Sequence, residues 1–255
     1  MTPHPDWIVP ALPVPGVRAL ITTRAGGVSR GPWGAGEDGG MNLGMGSGDR
    51  PEDVQANRAR LRALLPAEPR WLRQVHGAAV VDAERVLQPP EADAAVCATP
   101  GVVCVVLVAD CVPVILADAA GRGVAVAHAG WRGLATGVIQ NAVQALRRRL
   151  RDPAARLYAF LGPAIGQQHF EVGEEVLRAM RHRLPGAGDA FESCGGHKYR
   201  ADLVQLARMA LAQVNVDWIA GGQWCTYSDR HRFYSYRRDR ITGRHAALVW
   251  IDPSA

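Results

Sequence analysis

The sequence predicts a mixed fold of the α/β or α+β class. Strand-like runs rich in valine and isoleucine alternate with amphipathic helical segments along the whole chain. Hydrophobic residues make up 48% of the 255 residues, which is enough to bury a large core. We find no internal repeat and no linker that divides the chain, so we expect a single domain over residues 1–255.

In the first half of the chain, the elements are predicted mainly from the positions of proline, glycine and a helix-capping aspartate. A helix is expected from about Pro51, with Asp49 as its N-cap, because proline favours the first helical turn and aspartate accepts from free amide groups there. The other predicted elements are, in order, a Pro-rich lead-in over 1–15, a strand that runs from 17 into a Gly-rich turn, a long loop before residue 50, and two short strands within 70–86 that meet at His76–Gly77.

The second half alternates more regularly between apolar runs and helical patterns. Its predicted elements are strands over 101–108, 112–117 and 123–128, a helix over 131–150, a strand over 155–166, a helix over 172–184, a Gly-rich loop over 185–197, a helix over 200–214, and strands separated by a polar loop over 218–251. This order supports interleaved strands and helices rather than separate all-α and all-β parts.

Charge and cysteine content limit the possible partners. The net charge is +5, but the densest basic cluster, Arg147–Arg149 with Arg151, closes a predicted helix, where cations favour the helix dipole. We therefore expect no nucleic-acid partner, while a mildly basic surface suits an anionic small molecule such as phosphate. No signal peptide and no membrane span are visible, and five cysteines without paired spacing predict reduced thiols in a cytoplasmic protein.

Ionisable residues interrupt the apolar stretch from residue 107 to 133. Asp110 and Cys111 lie between two strand-like runs, and His128 ends a third run two residues before Gly130. Buried ionisable groups are unfavourable unless they are paired, bind a metal or act as nucleophiles. His76 likewise ends an apolar run and is followed by glycine. Two imidazoles and one thiolate form a suitable zinc set with one open position, although the spacing matches no zinc-finger pattern and by itself favours satisfied core residues.

Eight motifs, in the same order, resemble one bacterial family. They are TRAGGVS, MNLG, NRARL, RQVHG, ADCVPVILAD, AHAGWRG, GPAIG and YSYRRDRITGRHAALVWI, and the match runs from about residue 17 to 251. The family was once described as laccase-like multicopper polyphenol oxidases and is also called the peptidoglycan editing factor family. Its members are now regarded as purine nucleoside phosphorylases. The sequence is therefore identified as similar to this family over nearly its whole length.

The resemblance implies a fold, a metal and a reaction. The implied fold is an α/β arrangement of layered mixed sheets flanked by helices, related to the cytotoxic necrotizing factor deamidases. The implied zinc ligands are His76, Cys111 and His128, and copper is not expected. The implied reaction is phosphorolysis of adenosine, inosine, guanosine and methylthioadenosine, with adenosine deamination as a second activity. Purine nucleosides and phosphate are the expected partners, and the oligomeric state is left open.

Further site residues are predicted from the chemistry of phosphorolysis. Arginine binds phosphate through bidentate, charge-assisted hydrogen bonds. Arg58 matches the family position linked with phosphate, although a solvated helix arginine is equally compatible, and Arg24 and Arg132 are the alternatives. We expect Asp110, Cys111 and Arg58 to carry catalysis.

The role of Asp110 itself has two alternatives, and two further residues, Trp131 and Cys225, are considered beside it. Asp110 either orients a ligand histidine or acts as a general acid or base. Trp131 is expected to serve in packing. Cys225 has no assigned role.

Four other functions compete with this interpretation. A copper oxidase needs paired His-x-His motifs, and the sequence contains none. A cysteine hydrolase could use Cys111 with His128, but such a pair does not require His76. Hydrolytic editing of peptidoglycan precursors stays possible because zinc can also activate water. A binding module without catalysis does not need an open metal position.

Overall fold

The structure, a computed structural model, describes residues 2–36 and 39–254. Residues 37 and 38 of the predicted N-terminal loop, and both terminal residues of the expected domain, lie outside this part. The strands are β1 (Val17–Ile21), β2 (Ala25–Ser29), β3 (Val80–Asp82), β4 (Ala94–Cys97), β5 (Cys104–Val108), β6 (Val112–Asp118), β7 (Val124–Ala129), β8 (Leu157–Leu161), β9 (Glu171–Gly173), β10 (Phe191–Gly195), β11 (Lys198–Ala201), β12 (Trp218–Gly221) and β13 (His245–Ile251). The α-helices are α1 (Pro51–Arg62), α2 (Trp131–Thr136), α3 (Val138–Leu150), α4 (Glu174–Arg183), α5 (Leu203–Gln213) and α6 (Tyr236–Asp239).

A six-stranded mixed sheet lies at the centre, in the order β12-β8-β6-β7-β4-β3. Strands β6 and β7 are buried along their whole length, which explains why their sequences are nearly continuous apolar runs. Side chains alternate between the two faces of β6, so that Val114 packs towards the helices and Ile115 towards a second sheet. The expected layered, mixed α/β architecture is confirmed.

The second sheet, in the order β1-β13-β5, is antiparallel and packs on the face of the central sheet that carries Ile115. Its opposite face is covered by Leu61 of α1 together with Trp7, Met41 and Leu43. A third, small sheet has the order β10-β11-β9. Within residues 2–36 and 39–254 no helix is both long enough and apolar enough to cross a membrane.

The predicted helix over 131–150 is divided in two. Gly137 adopts a left-handed conformation (φ 90°) between α2 and α3, and the Arg183 guanidinium occupies the space where a side chain at Gly137 would lie. The prediction of Asp49 as the N-cap of α1 was also wrong. Arg50 holds that position, and the Asp49 carboxylate accepts from the Arg50 amide and the Asn42 side chain.

Three strand predictions differ from the structure. The segment before His76 forms only isolated bridges, at Arg70 and Arg73, and not a strand. Strand β4 was missed, because its sequence AAVC is short and rich in alanine, which has low strand propensity. The loop predicted over 185–197 contains β10, which pairs with β11 through a bulge between Ser193 and Gly195.

The central sheet predicts a clear stability difference between a buried and an exposed aliphatic residue. Ile115 is fully buried between the two large sheets, whereas Leu87 is 91% exposed. We expect Ile115→Ala to lower the free energy of unfolding by about 2–5 kcal/mol. Leu87→Ala should change it by less than about 0.5 kcal/mol. Urea unfolding monitored by circular dichroism measures both, and equal values would contradict the described packing.

Candidate metal centre and active-site cavity

His76, Cys111 and His128 meet at one end of the central sheet. Cys111 directly precedes β6. His128 is the second-to-last residue of β7, and the antiparallel register pairs it with Pro113 of β6. The candidate ligand atoms of the three side chains all lie within 4.8 Å of one another. Zinc binds imidazole nitrogen at about 2.0–2.1 Å and thiolate at about 2.3 Å, so these atoms are within reach of one ion. The described residues therefore contain a His–Cys–His group that could bind a metal.

A buried carboxylate, Asp93, organises two of these side chains. Its Oδ1 atom lies 2.8 Å from Nδ1 of His128 and accepts from the His76 amide at 2.9 Å. Its Oδ2 atom accepts from the amides of Val75 (3.1 Å) and Gly77 (2.7 Å). Because the carboxylate is hydrogen-bonded to Nδ1 of His128, the other ring nitrogen, Nε2, is free to bind a metal. Asp93 thus fixes both the ring of one ligand and the backbone of the other.

The electrostatics of the metal-free group favour a charged pair. Burial would raise the pKa of Cys111, but the charge and hydrogen bonds of His128, and then those of His76, lower it to about 6. Burial would lower the pKa of His128, but the Cys111 thiolate and the Asp93 carboxylate raise it to about 9. Both shifts favour a thiolate at Cys111, and the thiolate is the form that binds metals.

The backbone around the group is unusual. His76 and Asp110 both adopt positive φ angles, 60° and 94°, which are uncommon for residues with side chains and concentrate at functional sites. A Cβ atom on Gly130 would lie only 2.7 Å from Sγ of Cys111. Glycine is therefore required after β7 for the thiol to approach this chain segment.

The His–Cys–His group lies in the wall of a cavity of about 910 Å³. This volume is at the upper end of the range typical of small-molecule sites. Aromatic and apolar residues line it, among them Trp71, Trp131, Phe170, Leu203 and Tyr236. Five arginines line it as well, and all but Arg73 lie over one of these aromatic rings, namely Arg58, Arg73, Arg132, Arg237 and Arg244. The cavity can therefore hold a ligand that has both a flat apolar part and an anionic part.

The predicted arginines do not all reach the cavity. Arg58 lines it, stacked 3.8 Å above the Trp71 ring, and donates two hydrogen bonds to the Leu43 carbonyl. Arg132 also lines it, as an exposed residue over the Trp131 ring. Arg24 is not among the lining residues. Its guanidinium donates to backbone carbonyls, including that of Gly34, so we leave it out of the proposed phosphate site.

Asp110 lines the cavity but does not orient a histidine. Its Oδ1 accepts from the Thr226 hydroxyl (2.6 Å) and its Oδ2 from the Arg237 amide (2.6 Å). The expectation that Asp110 supports a ligand histidine is corrected, because Asp93 has that position. Cys225, next to Thr226, accepts from the Gly166 amide at 3.2 Å and does not line the cavity.

Sequence reasoning missed two residues of this site, Asp93 and Arg244. Asp93 directly precedes β4, so an acidic residue entering an apolar run was the available signal. Arg244 lies just before β13 within the last family motif, but five other arginines nearby in residues 230–240 carry the same signal.

Comparison with known proteins identifies the family. The family model for multi-copper polyphenol oxidoreductase laccase matches residues 18–252. The chain belongs to this family.

The relatives of this chain include proteins named purine nucleoside phosphorylase. One, from Pseudomonas aeruginosa, is 46% identical over 250 residues, covering 97% of each chain. The purine nucleoside phosphorylase YfiH of Escherichia coli is 46% identical and covers 96% of this chain and 98% of its own.

Solved structures of relatives share the fold. A Neisseria meningitidis protein superposes with a TM-score of 0.89 at 44% identity, covering 97% of this chain and 99% of its own. The protein YlmD of Geobacillus stearothermophilus gives 0.85 at 30% identity, with 95% and 94% covered. The resemblance and the fold expected from the sequence are confirmed.

The role of Asp93 generates a prediction about metal affinity. Asp93→Asn keeps the size of the side chain but loses the charge, and one of its two acceptor atoms becomes a donor. We expect the affinity for zinc to fall roughly 10–100-fold, as is usual when the partner of a ligand histidine is removed. Competition with a chromophoric chelator measures this affinity.

Asp118→Asn is the matched control for this variant. Asp118 is also a buried carboxylate, but it lies at the far end of β6 and pairs with Arg122. Its variant should bind zinc as tightly as the wild type. Equal affinities for all three proteins would show that Asp93 does not support the metal group.

Proposed function

We propose that the chain is a zinc-binding purine nucleoside phosphorylase. It would cleave adenosine, inosine, guanosine and methylthioadenosine with phosphate, giving the free base and ribose-1-phosphate or its methylthio analogue, and would also deaminate adenosine. The observation that carries the proposal is one cavity that joins the His–Cys–His group to an arginine-rich wall. Membership of a family with relatives named purine nucleoside phosphorylase supports it.

The choice of zinc follows from the donor set. Two imidazoles and one thiolate suit zinc, and the cavity side of the group can offer a fourth position to water or substrate. The chain has no His-x-His motif, which argues against a multicopper centre despite the family's description. When bound, zinc supplies a Lewis acid beside the cavity and activates water for the deamination.

The phosphorolysis itself is assigned to residues of this chain. Arg58, and other arginines of the cavity wall, would hold the phosphate dianion by charge-assisted hydrogen bonds. The apolar wall formed by Phe170, Leu203 and Tyr236 would contact the purine. Phosphate then attacks the sugar carbon that bears the base, and the bond from that carbon to the purine nitrogen breaks.

Departure of the purine requires that its negative charge be neutralised. We assign this step to Asp110, which lines the cavity next to Cys111 and whose carboxylate is held by Thr226 and the Arg237 amide. A carboxylate so positioned would take up the proton that hydrogen phosphate loses as its oxygen bonds to the sugar carbon, and would pass it to a ring nitrogen of the departing purine. We further propose a cytoplasmic location, which the five free cysteines support.

A second candidate function has one specific observation in its favour. Asp93, His128 and Cys111 form a chain of contacts in the order found in Cys–His–Asp hydrolases. The position of His76 argues against a hydrolase. Its ring centroid is 4.7 Å from that of His128, and its ligand atom lies in the same group as the Cys111 thiol. A nucleophile and its base do not need that second ring.

The proposed reaction predicts which products require phosphate. With phosphate, inosine should give hypoxanthine and ribose-1-phosphate. In sulfate buffer of the same ionic strength, release of free base should stop, because the nucleophile is missing. Conversion of adenosine to inosine should persist, since its nucleophile is water. Chromatography of both reactions provides the measurement, and undiminished release of base without phosphate would indicate a nucleoside hydrolase.

The two candidate functions differ in their response to chelation. A zinc enzyme should lose its activity on nucleosides when a chelator removes the metal, and should regain that activity when zinc is added. Iodoacetamide should alkylate Cys111 faster after chelation. Cys194 is exposed and distant in the chain from the three ligands, so its alkylation rate provides an internal control. Mass spectrometry of peptides gives both rates. Full activity after complete metal removal, abolished by alkylation of Cys111, would instead establish the cysteine hydrolase.

A further inference from the structure

We propose that Gln74 is a positioning residue, which holds the His76 side chain of the candidate metal group in place and does not bind substrate. The inference rests on the proposed zinc centre, because it names the residue that fixes one of its ligands. Gln74 lies two residues before His76, and both side chains line the same cavity. The side-chain amide of Gln74 is nevertheless bonded to the protein backbone, at Leu107 of β5.

The segment around His76 has little core packing to fix it. Arg73, Val75 and His76 are all exposed, and even the apolar Val75 is 47% exposed. His76 also has a positive φ angle of 60°, a conformation that is unfavourable for a residue with a side chain and persists only where the surrounding contacts impose it. Hydrogen bonds therefore have to hold this ligand in position.

These hydrogen bonds come from two different sheets. On the side of the central sheet, Asp93 accepts from the amides of residues 75–77. On the side of the second sheet, Nε2 of Gln74 donates to the Leu107 carbonyl (2.8 Å), and Oε1 accepts from the Leu107 amide (2.7 Å). The main chain of the segment bridges to β5 at Arg70, four residues earlier. The Gln74 side chain thus renews the contact with β5 close to the ligand.

The two backbone groups of Leu107 point away from the neighbouring strand. Leu107 is paired with Ala246 of β13. Ala246 uses its own amide and carbonyl on Thr22, which lies on the other side of β13. The Leu107–Ala246 pair is therefore a non-hydrogen-bonded pair of the antiparallel ladder. The amide and the carbonyl of Leu107 consequently face the outer edge of β5, where Gln74 satisfies both.

This bonding pattern distinguishes Gln74 from residues that could bind substrate. A glutamine side chain offers one carbonyl oxygen and two N–H donors, and the contact with Leu107 uses the oxygen and one donor in a single orientation. Rotation of the amide towards a ligand would leave both backbone groups of Leu107 without a partner, which is unfavourable at a partly buried position. Gln74 therefore forms part of the cavity wall while its amide serves the His76 segment.

The test is a double-mutant cycle on the zinc affinity of the full chain. Gln74→Met keeps the approximate length of the side chain but removes both hydrogen bonds. We expect the Kd for zinc to rise on the order of 10-fold, because His76 must then be ordered when the metal binds. In the His76→Ala background the same change should raise the Kd by less than about twofold, since the residue through which Gln74 acts is gone.

Gln140→Met is the matched control. Gln140 is a buried glutamine of α3 whose amide donates to Gln213 of α5, away from the metal group. Its substitution should leave the Kd for zinc within about twofold of the wild-type value. Competition with a chromophoric chelator measures all of these affinities.

Spectroscopy and substrate kinetics separate positioning from other roles. X-ray absorption of the zinc-loaded Gln74→Met protein should show a weaker outer-shell signal of imidazole, with the sulfur neighbour retained. The KM for inosine, measured at saturating zinc, should stay within about twofold of the wild-type value. An equal loss of zinc affinity with and without His76, or a raised KM for inosine at unchanged zinc affinity, overturns the positioning role.

Amide hydrogen exchange on the wild type does not depend on the folding of any variant. The Leu107 amide should be protected both with and without zinc, because Gln74 accepts from it in either state. Protection that appears only with zinc would show that the metal orders the segment, and would overturn the proposal. If the cycle gives the expected result but the wild type releases no base from inosine with phosphate, the proposed function fails while the role of Gln74 stands.

Discussion

The carboxylate of Asp93 is the interaction on which the site depends. It is completely buried, and its two oxygens hold the ring of His128 and three successive amides around His76. His76 itself lies outside any strand, and Asp93 is the group that holds its amide, while the neighbouring Gln74 is tied to β5 through two hydrogen bonds with the backbone of Leu107. Strands β6 and β7 place Cys111 and His128 by their register, and Asp93 adds the remaining ligand to this rigid frame.

The cavity contains charges of both signs, which suits a two-substrate reaction. The Cys111 thiolate and the Asp110 carboxylate supply negative charge, and hydrogen bonds hold both groups. Arg58 and Arg244 form a cationic part that has no acidic partner among the described residues. An anion and a flat apolar base can thus be bound side by side. The arginines are held by backbone carbonyls, so their positions do not depend on the ligand, which favours preorganised binding.

Local patterns predicted most of the fold, and long-range contacts account for the rest. Continuous apolar runs identified β5 to β8, and periodicity identified α4 and α5, because those signals are contained in neighbouring residues. The break at Gly137 and the short strand β4 depend on partners distant in the chain. The three candidate ligands were recognisable from their motifs. Asp93 and Arg244 were not, because an acidic residue before an apolar run does not show which groups it contacts, and Arg244 is one of six arginines within residues 230–244.

X-ray absorption at the zinc edge tests the central claim most directly, since it reports the atoms around the ion rather than the activity. The protein loaded with one equivalent of zinc should show one sulfur neighbour at about 2.3 Å and nitrogen neighbours, with the outer-shell signal of two imidazoles, at about 2.0–2.1 Å. Cys111→Ser should lose the sulfur contribution. A first shell of oxygen and nitrogen without sulfur in the wild type would contradict the assignment of His76, Cys111 and His128 as one metal centre.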